Sequence, residues 1–303
     1  MTITHLRSIA ISAEHPESLL PFYEETWGLA SVGRTPEGSI LLRANGPEHH
    51  VLALVPGDGH SLEGIHLGAS SSAYVDELAA ELGAAGTEVV RGPERRPDVE
   101  GGGYGVTFLD PEGRRVEVSH AVTEHGEDRE GLHDYGPDRL SHIVLNSVDL
   151  PRSQAFYVGL LRFSVSDTYE RDLMIFLRCN ALHHCIVLAP GEWTSLNHVA
   201  FEVESADEVM KALGRMRAAG FETIWGPGRH GPGGNVFCYF TDPVGNVIEY
   251  TAELLELDDT WEPQVWARTP ENADVWGTSG GITPDVIKAM ANPPVSNDEG
   301  SVS

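Results

Sequence analysis

Cysteine is scarce: the 303 residues contain only Cys179, Cys185 and Cys238. Three cysteines do not build a disulfide framework, and no pair has zinc-finger spacing. Cys179 and Cys185 fall in strand-like runs, which reads as buried, reduced thiols in a cytoplasmic protein. Basic residues are also scarce, with 20 Lys plus Arg against 46 Asp plus Glu and a formal net charge of -26. Phosphate backbones and anionic bilayers need clustered cations, so no nucleic-acid or membrane partner is expected. No run of about 18 apolar residues exists, so no membrane span is expected. The opening Met1-Thr2-Ile3-Thr4-His5-Leu6-Arg7 lacks a charged-then-apolar leader, and no secretory signal is expected. Hydrophobic residues make up 41 % of the chain, as in ordinary globular proteins. The length suits about two domains.

What the chain does have is an internal repeat. Phe22-Tyr23 recurs 134 residues later as Phe156-Tyr157. At the same offset His49-His50 returns as His183-His184, Pro56-Gly57 as Pro190-Gly191, and Gly92-Pro93 as Gly226-Pro227. Ala84-Ala85-Gly86 likewise returns as Ala218-Ala219-Gly220. The offset then slips to 132, where Asp110-Pro111-x-Gly113 returns as Asp242-Pro243-x-Gly245.

Each half divides again into two units reading strand, helix, then about three strands. Asp149 suits a helix N-cap with Pro151 in the first turn. Strands are expected at about 162–168, 172–179 and 182–189, then at about 196–204, 221–226, 235–241 and 246–252. A helix starting at Ser205-Ala206-Asp207-Glu208 should stop at Gly220. The fold class read from this pattern is α+β: two domains, each of two βαβββ modules. The expected division is 1–120 as the first copy, 121–138 as a linker, and 139–252 as the second copy. Residues 253–290 form an extension carrying Trp261, Trp266 and Trp276, expected to pack over a domain face. Residues 291–303 are expected to be a disordered tail.

The two copies differ where chemistry is carried. The second has His142, His198 and Glu249; the first has Ser8, Gly64 and Glu117 at the repeat positions. Two imidazoles and a carboxylate with open positions are a ligand set for non-haem Fe(II) that must also hold dioxygen and substrate. Each falls in an alternating strand, so its side chain points to a defined face. His184, His230 in a Gly-rich loop, and Tyr239 are the further candidates. His183 is expected to leave the same strand on the opposite face. Trp193 and Phe201 are candidates for an aromatic pocket, with core packing preferred for Phe201.

These residues carry a family resemblance. Gly228-Arg229-His230-Gly231, then Tyr239, then Asp242-Pro243-x-Gly245-Asn246-x-Ile248-Glu249 resembles the type I extradiol catechol dioxygenases of the vicinal oxygen chelate superfamily. The homoprotocatechuate 2,3-dioxygenase branch is the most similar. The resemblance implies that His142, His198 and Glu249 bind Fe(II), or Mn(II) in its place. It implies that His184, His230 and Tyr239 surround the substrate and O2, with His184 as the acid–base group. It also implies a catechol-type substrate and a homo-oligomer. After His230 the chain reads Gly-Pro-Gly-Gly-Asn, where the biphenyl-diol branch has Thr-Asn-Asp, and no Arg stands out for a substrate carboxylate. The ring substituents therefore stay open. So do two rivals: a glyoxalase-like isomerase or thiol transferase on the same scaffold, and a non-enzymatic small-molecule binding protein.

Overall fold

The computed structural model describes residues 2–59, 61–126 and 131–293. Most of the expected tail, 294–303, lies outside the described residues. In the first module β1 (Ile3–Ala13) leads through short helical turns at Pro16–Leu19 and Pro21–Trp27 into β2 (Ala30–Arg34), β3 (Ile40–Arg43) and β4 (Leu52–Pro56). The second module runs β5 (Leu62–Ala69), α1 (Ser72–Ala84), β6 (Val89–Arg95), β7 (Tyr104–Leu109) and β8 (Arg115–His120). The third runs β9 (Arg139–Ser147), α2 (Leu150–Ala155), a wide turn at Phe156–Leu160, β10 (Ser164–Tyr169), β11 (Ile175–Arg178) and β12 (Ile186–Pro190). The fourth runs β13 (Ser195–Glu202), α3 (Ala206–Ala218), β14 (Trp225–Arg229), β15 (Val236–Thr241) and β16 (Val247–Ala252).

Helix starts follow their capping residues. The side chains of Ser71, Asp149 and Ser205 accept hydrogen bonds from the backbone N–H of Tyr74, Arg152 and Glu208. Such a cap contributes about 1 kcal/mol.

The first sheet has the order β2-β3-β4-β1-β5-β8-β7-β6, and the second repeats it as β10-β11-β12-β9-β13-β16-β15-β14. Each is a mixed sheet: β1 pairs β4 in parallel and β5 antiparallel, and β9 does the same with β12 and β13. The extension adds β17 (Gln264–Trp266) in parallel to β10, giving the second sheet a ninth strand. It continues into α4 (Pro270–Ala273) and α5 (Pro284–Ala291). Order therefore runs past the expected start of the tail: Asn292 is buried and donates its side-chain amide to the Leu196 carbonyl. Trp193 donates its indole N–H to the Ala291 carbonyl.

One hydrophobic core spans both halves. Trp27 from the first module stacks 3.7 Å from Tyr250 and meets Phe201 edge-on at 5.7 Å, both from the fourth. Phe201 is thus core. The repeated motifs cross over: the Tyr23 hydroxyl donates to Asp242 at 2.8 Å, and Tyr157 donates to Asp110 at 3.2 Å. The first module's helical segment therefore packs on the fourth module, and the third module's on the second. Burying an aromatic of this size stabilises the fold by about 1.5–3 kcal/mol, so the halves hold each other in place.

All three cysteines are free thiols, with Cys179 half-buried and 3.5 Å from the buried Cys185. Among the described residues, no helix is long and apolar enough to cross a membrane.

Candidate metal centre

Three adjacent strands carry the ligand set. In the pairing register Ala200 of β13 faces His142 of β9 on one side and Glu249 of β16 on the other. His198 lies two residues before Ala200 and so shares its face. The small Ala200 side chain leaves the space between the three groups open.

The potential ligand atoms of His142, His198 and Glu249 all lie within 4.8 Å of one another, and all three residues are buried. Glu249 Oε2 is 3.3 Å from His142 Nε2 and 3.4 Å from His198 Nε2. None of these contacts has hydrogen-bond geometry, and both His198 Nε2 and Glu249 Oε2 are buried without a partner. Burial raises the Glu249 pKa, but the facing imidazoles outweigh it and hold the carboxyl below its usual range. A fully buried carboxylate with two imidazoles aimed at it is costly by itself. A divalent cation at their meeting point satisfies all three, so the residues present fit a metal.

Neighbouring groups orient the ligands. His198 Nδ1–H donates to Asn197 Oδ1 at 2.8 Å, which leaves Nε2 as a bare lone pair facing the cluster. Asn235, fully buried, donates to Thr251 Oγ1 at 2.8 Å and reaches Glu249 Oε1 at 3.4 Å. Asn235 was not singled out in the sequence; its place immediately after the Gly233-Gly234 pair was the available signal.

The other three candidates gather around this cluster. The His184 ring lies 4.4 Å from that of His142, and the Tyr239 ring 5.1 Å from that of His198. His230 Nδ1 is 2.8 Å from the Ala273 carbonyl, which only accepts, so Nδ1 carries the proton. Its Nε2 then accepts from the Tyr239 hydroxyl at 3.1 Å. Phe237 stacks on the His230 ring at 3.9 Å and fixes its plane. Burial lowers the His230 pKa to about 4. Burial, then the neighbouring imidazoles, pushes His184 well below the usual histidine value. Burial and the Glu249 charge push Tyr239 well above the usual phenol value. Neutral imidazoles and a protonated phenol are the state set up for proton exchange with a bound ligand.

One sequence-based expectation changes here. β12 starts at Ile186, so His183 and His184 precede the strand and side-chain alternation does not separate them. Instead His183 Nδ1 lies 2.9 Å from His184 Nδ1. Gly233, at φ +76°, comes so near that a Cβ there would meet His184 Cε1 at 3.1 Å and His183 Nδ1 at 3.2 Å. The Gly-rich loop thus does permit a close approach.

The first half shows what fills the equivalent space. Ser8 on β1 pairs with His66 on β5, which pairs with Glu117 on β8. His66 therefore stands where the second half has Ala200. Its Nε2 lies 3.0 Å from where a Gly64 Cβ would be. Ser8 Oγ sits 2.8 Å from His66 Nδ1, and Arg96 Nε sits 3.0 Å from Glu117 Oε2. A guanidinium supplies the cation here, whereas Glu249 has only imidazoles as ion-pair partners among the described residues. Ser8→Ala should cost about 1 kcal/mol of stability through the lost hydrogen bond. It should change turnover by less than about tenfold, because no contact to the reacting groups is lost. Urea unfolding and steady-state kinetics check both; a collapse of turnover at unchanged stability would place the first half in the chemistry.

With this geometry in view, comparison with known proteins places the chain. It belongs to the Glyoxalase/Bleomycin resistance protein/Dioxygenase superfamily, which it matches over residues 3–118 and 139–250. Its two-sheet architecture is the vicinal oxygen chelate fold. It is similar to the Mn(II)-bound glyoxalase of Novosphingobium aromaticivorans, with TM-score 0.87, 36 % identity, and 99 % of this chain and 97 % of that one covered. The homoprotocatechuate 2,3-dioxygenase of Arthrobacter globiformis shares the fold at TM-score 0.83 and 24 % identity, over 94 % and 90 % of the two chains. A biphenyl-2,3-diol 1,2-dioxygenase of Metapseudomonas furukawaii is 27 % identical over 88 % of this chain and 93 % of that protein. The match to metapyrocatechase 2 of Cupriavidus necator spans 58 % of this chain and 60 % of that one. Relatives differ in the metal they are named for. One, from Rhodococcus jostii, is an iron-dependent extradiol dioxygenase, 27 % identical over 75 % of this chain and 80 % of that one. Another, from Geobacillus genomosp. 3, is a manganese-dependent 2,3-dihydroxybiphenyl 1,2-dioxygenase, 26 % identical over 85 % and 88 %.

Proposed function

We propose that the chain is an extradiol ring-cleaving dioxygenase acting on a catechol-type substrate, with Fe(II), or Mn(II) in its place, held by His142, His198 and Glu249. The observation that carries this reading is the buried, unpartnered pair His198 Nε2 and Glu249 Oε2 beside His142, ringed by His184, His230 and Tyr239. A metal held by His142, His198 and Glu249 would supply Lewis-acid and one-electron chemistry toward the diol and dioxygen. The chain's own residues handle protons. His184, neutral, takes a proton from the diol and returns it later, while Tyr239 and His230 form a second hydrogen-bonding edge. Phe237 stacked on His230, with Trp225 tilted against Phe237, helps keep that edge dry.

A glyoxalase-type isomerisation is the second reading. It is favoured by the 36 % identity to a protein described as a glyoxalase. The two part in one assay series on protein loaded anaerobically with iron or manganese. An oxygenase consumes O2 with catechol, 3-methylcatechol or 2,3-dihydroxybiphenyl and leaves the methylglyoxal–glutathione adduct unchanged. Isomerisation of the adduct, with no O2 uptake on any diol, would replace the first reading by the second.

A further inference from the structure

A chain of buried polar groups leads away from His184 and ends in the extension. Asp167 on β10, His183 and His184 are all 3 % exposed or less. His183 Nε2 lies 3.0 Å from Asp167 Oδ2, and His183 Nδ1 lies 2.9 Å from His184 Nδ1. The Asp167 carboxylate is itself held by β17: the Trp266 indole N–H donates to Oδ2 at 2.7 Å, and the Gln264 backbone N–H to Oδ1 at 2.9 Å. The His183 backbone N–H donates to the Leu255 carbonyl at 2.8 Å, also in the extension.

With Asp167 ionised and His183 neutral, the donor and acceptor roles along this chain follow from the two contacts. An ionised carboxylate only accepts, so His183 Nε2 carries the proton toward Asp167. In neutral His183 the Nδ1 is then an acceptor, and the proton between the two Nδ1 atoms sits on His184. His184 is thereby left with Nε2 as its bare lone pair.

We propose that Asp167 and His183 are positioning residues that fix the tautomer and orientation of His184, with the extension's Trp266 and Gln264 clamping the far end. This rests on the reading of His184 as the proton-transfer group. In the transfer, the diol O–H bond breaks and a bond from that hydrogen to His184 Nε2 forms. The resulting imidazolium keeps its Nδ1–H bond to His183, and the buried Asp167 charge lies one ring away to stabilise it. Without His183, nothing selects the Nδ1–H form, and a fraction of His184 presents Nε2–H, which cannot accept. Fixing an imidazole tautomer through a buried carboxylate is the role such a group has in hydrolase triads; here a second imidazole is interposed.

The test has one readout that does not depend on activity. In full-length, metal-free protein labelled with 15N-histidine, long-range 1H–15N correlation reports each ring tautomer, and His184→Gln assigns the His184 signals. Wild type should show His184 protonated at Nδ1 only. His183→Phe should shift it toward the Nε2–H form, while His183→Asn, whose side-chain oxygen can still accept, should retain Nδ1–H. In metal-loaded protein with 2,3-dihydroxybiphenyl, His183→Phe and Asp167→Asn should lower kcat about 10- to 100-fold, within the contribution of general acid–base catalysis. KM should stay within about threefold, and His183→Asn should recover most of the loss. An Nε2–H tautomer in wild type, or an unchanged one in His183→Phe, would overturn the proposal. The expected tautomers in a protein that cleaves no diol would leave the proposal standing and remove the dioxygenase reading.

Discussion

His198→Ala should remove the metal from the protein and leave it folded. Wild-type protein purified under reducing, anaerobic conditions should carry about one iron or manganese per chain, and the variant close to none. The reason is geometric. His198 Nε2 is one of three buried atoms that face a common point, and it has no other partner. Its loss leaves His142 and Glu249, a pair too small to hold a divalent ion against the solvent. Folding should survive, because the side chain lies at the site and not in the core that joins the halves. Turnover should fall below detection, while thermal unfolding of the metal-free proteins should agree within a few degrees. A stoichiometric metal that persists in His198→Ala would mean a second site, and the contrast between the two halves would lose its meaning.

His184→Phe should separate binding from chemistry. Phe keeps the ring volume beside His142 and removes both nitrogens. The variant should retain its metal and bind catechol, yet open the ring about 10²–10⁴-fold more slowly. Oxygen that is consumed should appear partly as hydrogen peroxide, since the proton needed for ring opening arrives late. Stability should fall by about 1 kcal/mol, because the buried His183 Nδ1 loses its hydrogen-bond partner. Full activity in His184→Phe would take this residue out of the mechanism.

Much of this was legible in the sequence because duplication supplies an internal control. The repeated Phe-Tyr and Asp-Pro-x-Gly motifs marked equivalent modules, and the ligand set stood out against Ser8 and Gly64. What the motifs do was not legible. Tyr23 finds Asp242, and Tyr157 finds Asp110, across more than 40 residues of sequence in each case. Periodicity describes one element's faces, not which distant element covers them. His66 was missed because the comparison followed the repeat offset; the imidazole moved two residues along the same strand face and still filled the space of Gly64. His183 was assigned to the wrong face because alternation was applied to residues that precede the strand. Asp167 carried no signal, being an ordinary strand carboxylate; Trp266 was expected to pack over a domain face, but its bond to a carboxylate 99 residues earlier was not legible.

The central claim is that this site cleaves an aromatic ring beside its diol with dioxygen. Mass analysis of the product formed from catechol in an 18O2 atmosphere by the metal-loaded protein tests it most directly. The account predicts a hydroxymuconic semialdehyde carrying label from O2, with one O2 consumed per ring opened. A muconate diacid, or diol recovered unchanged beside full metal occupancy, would contradict it.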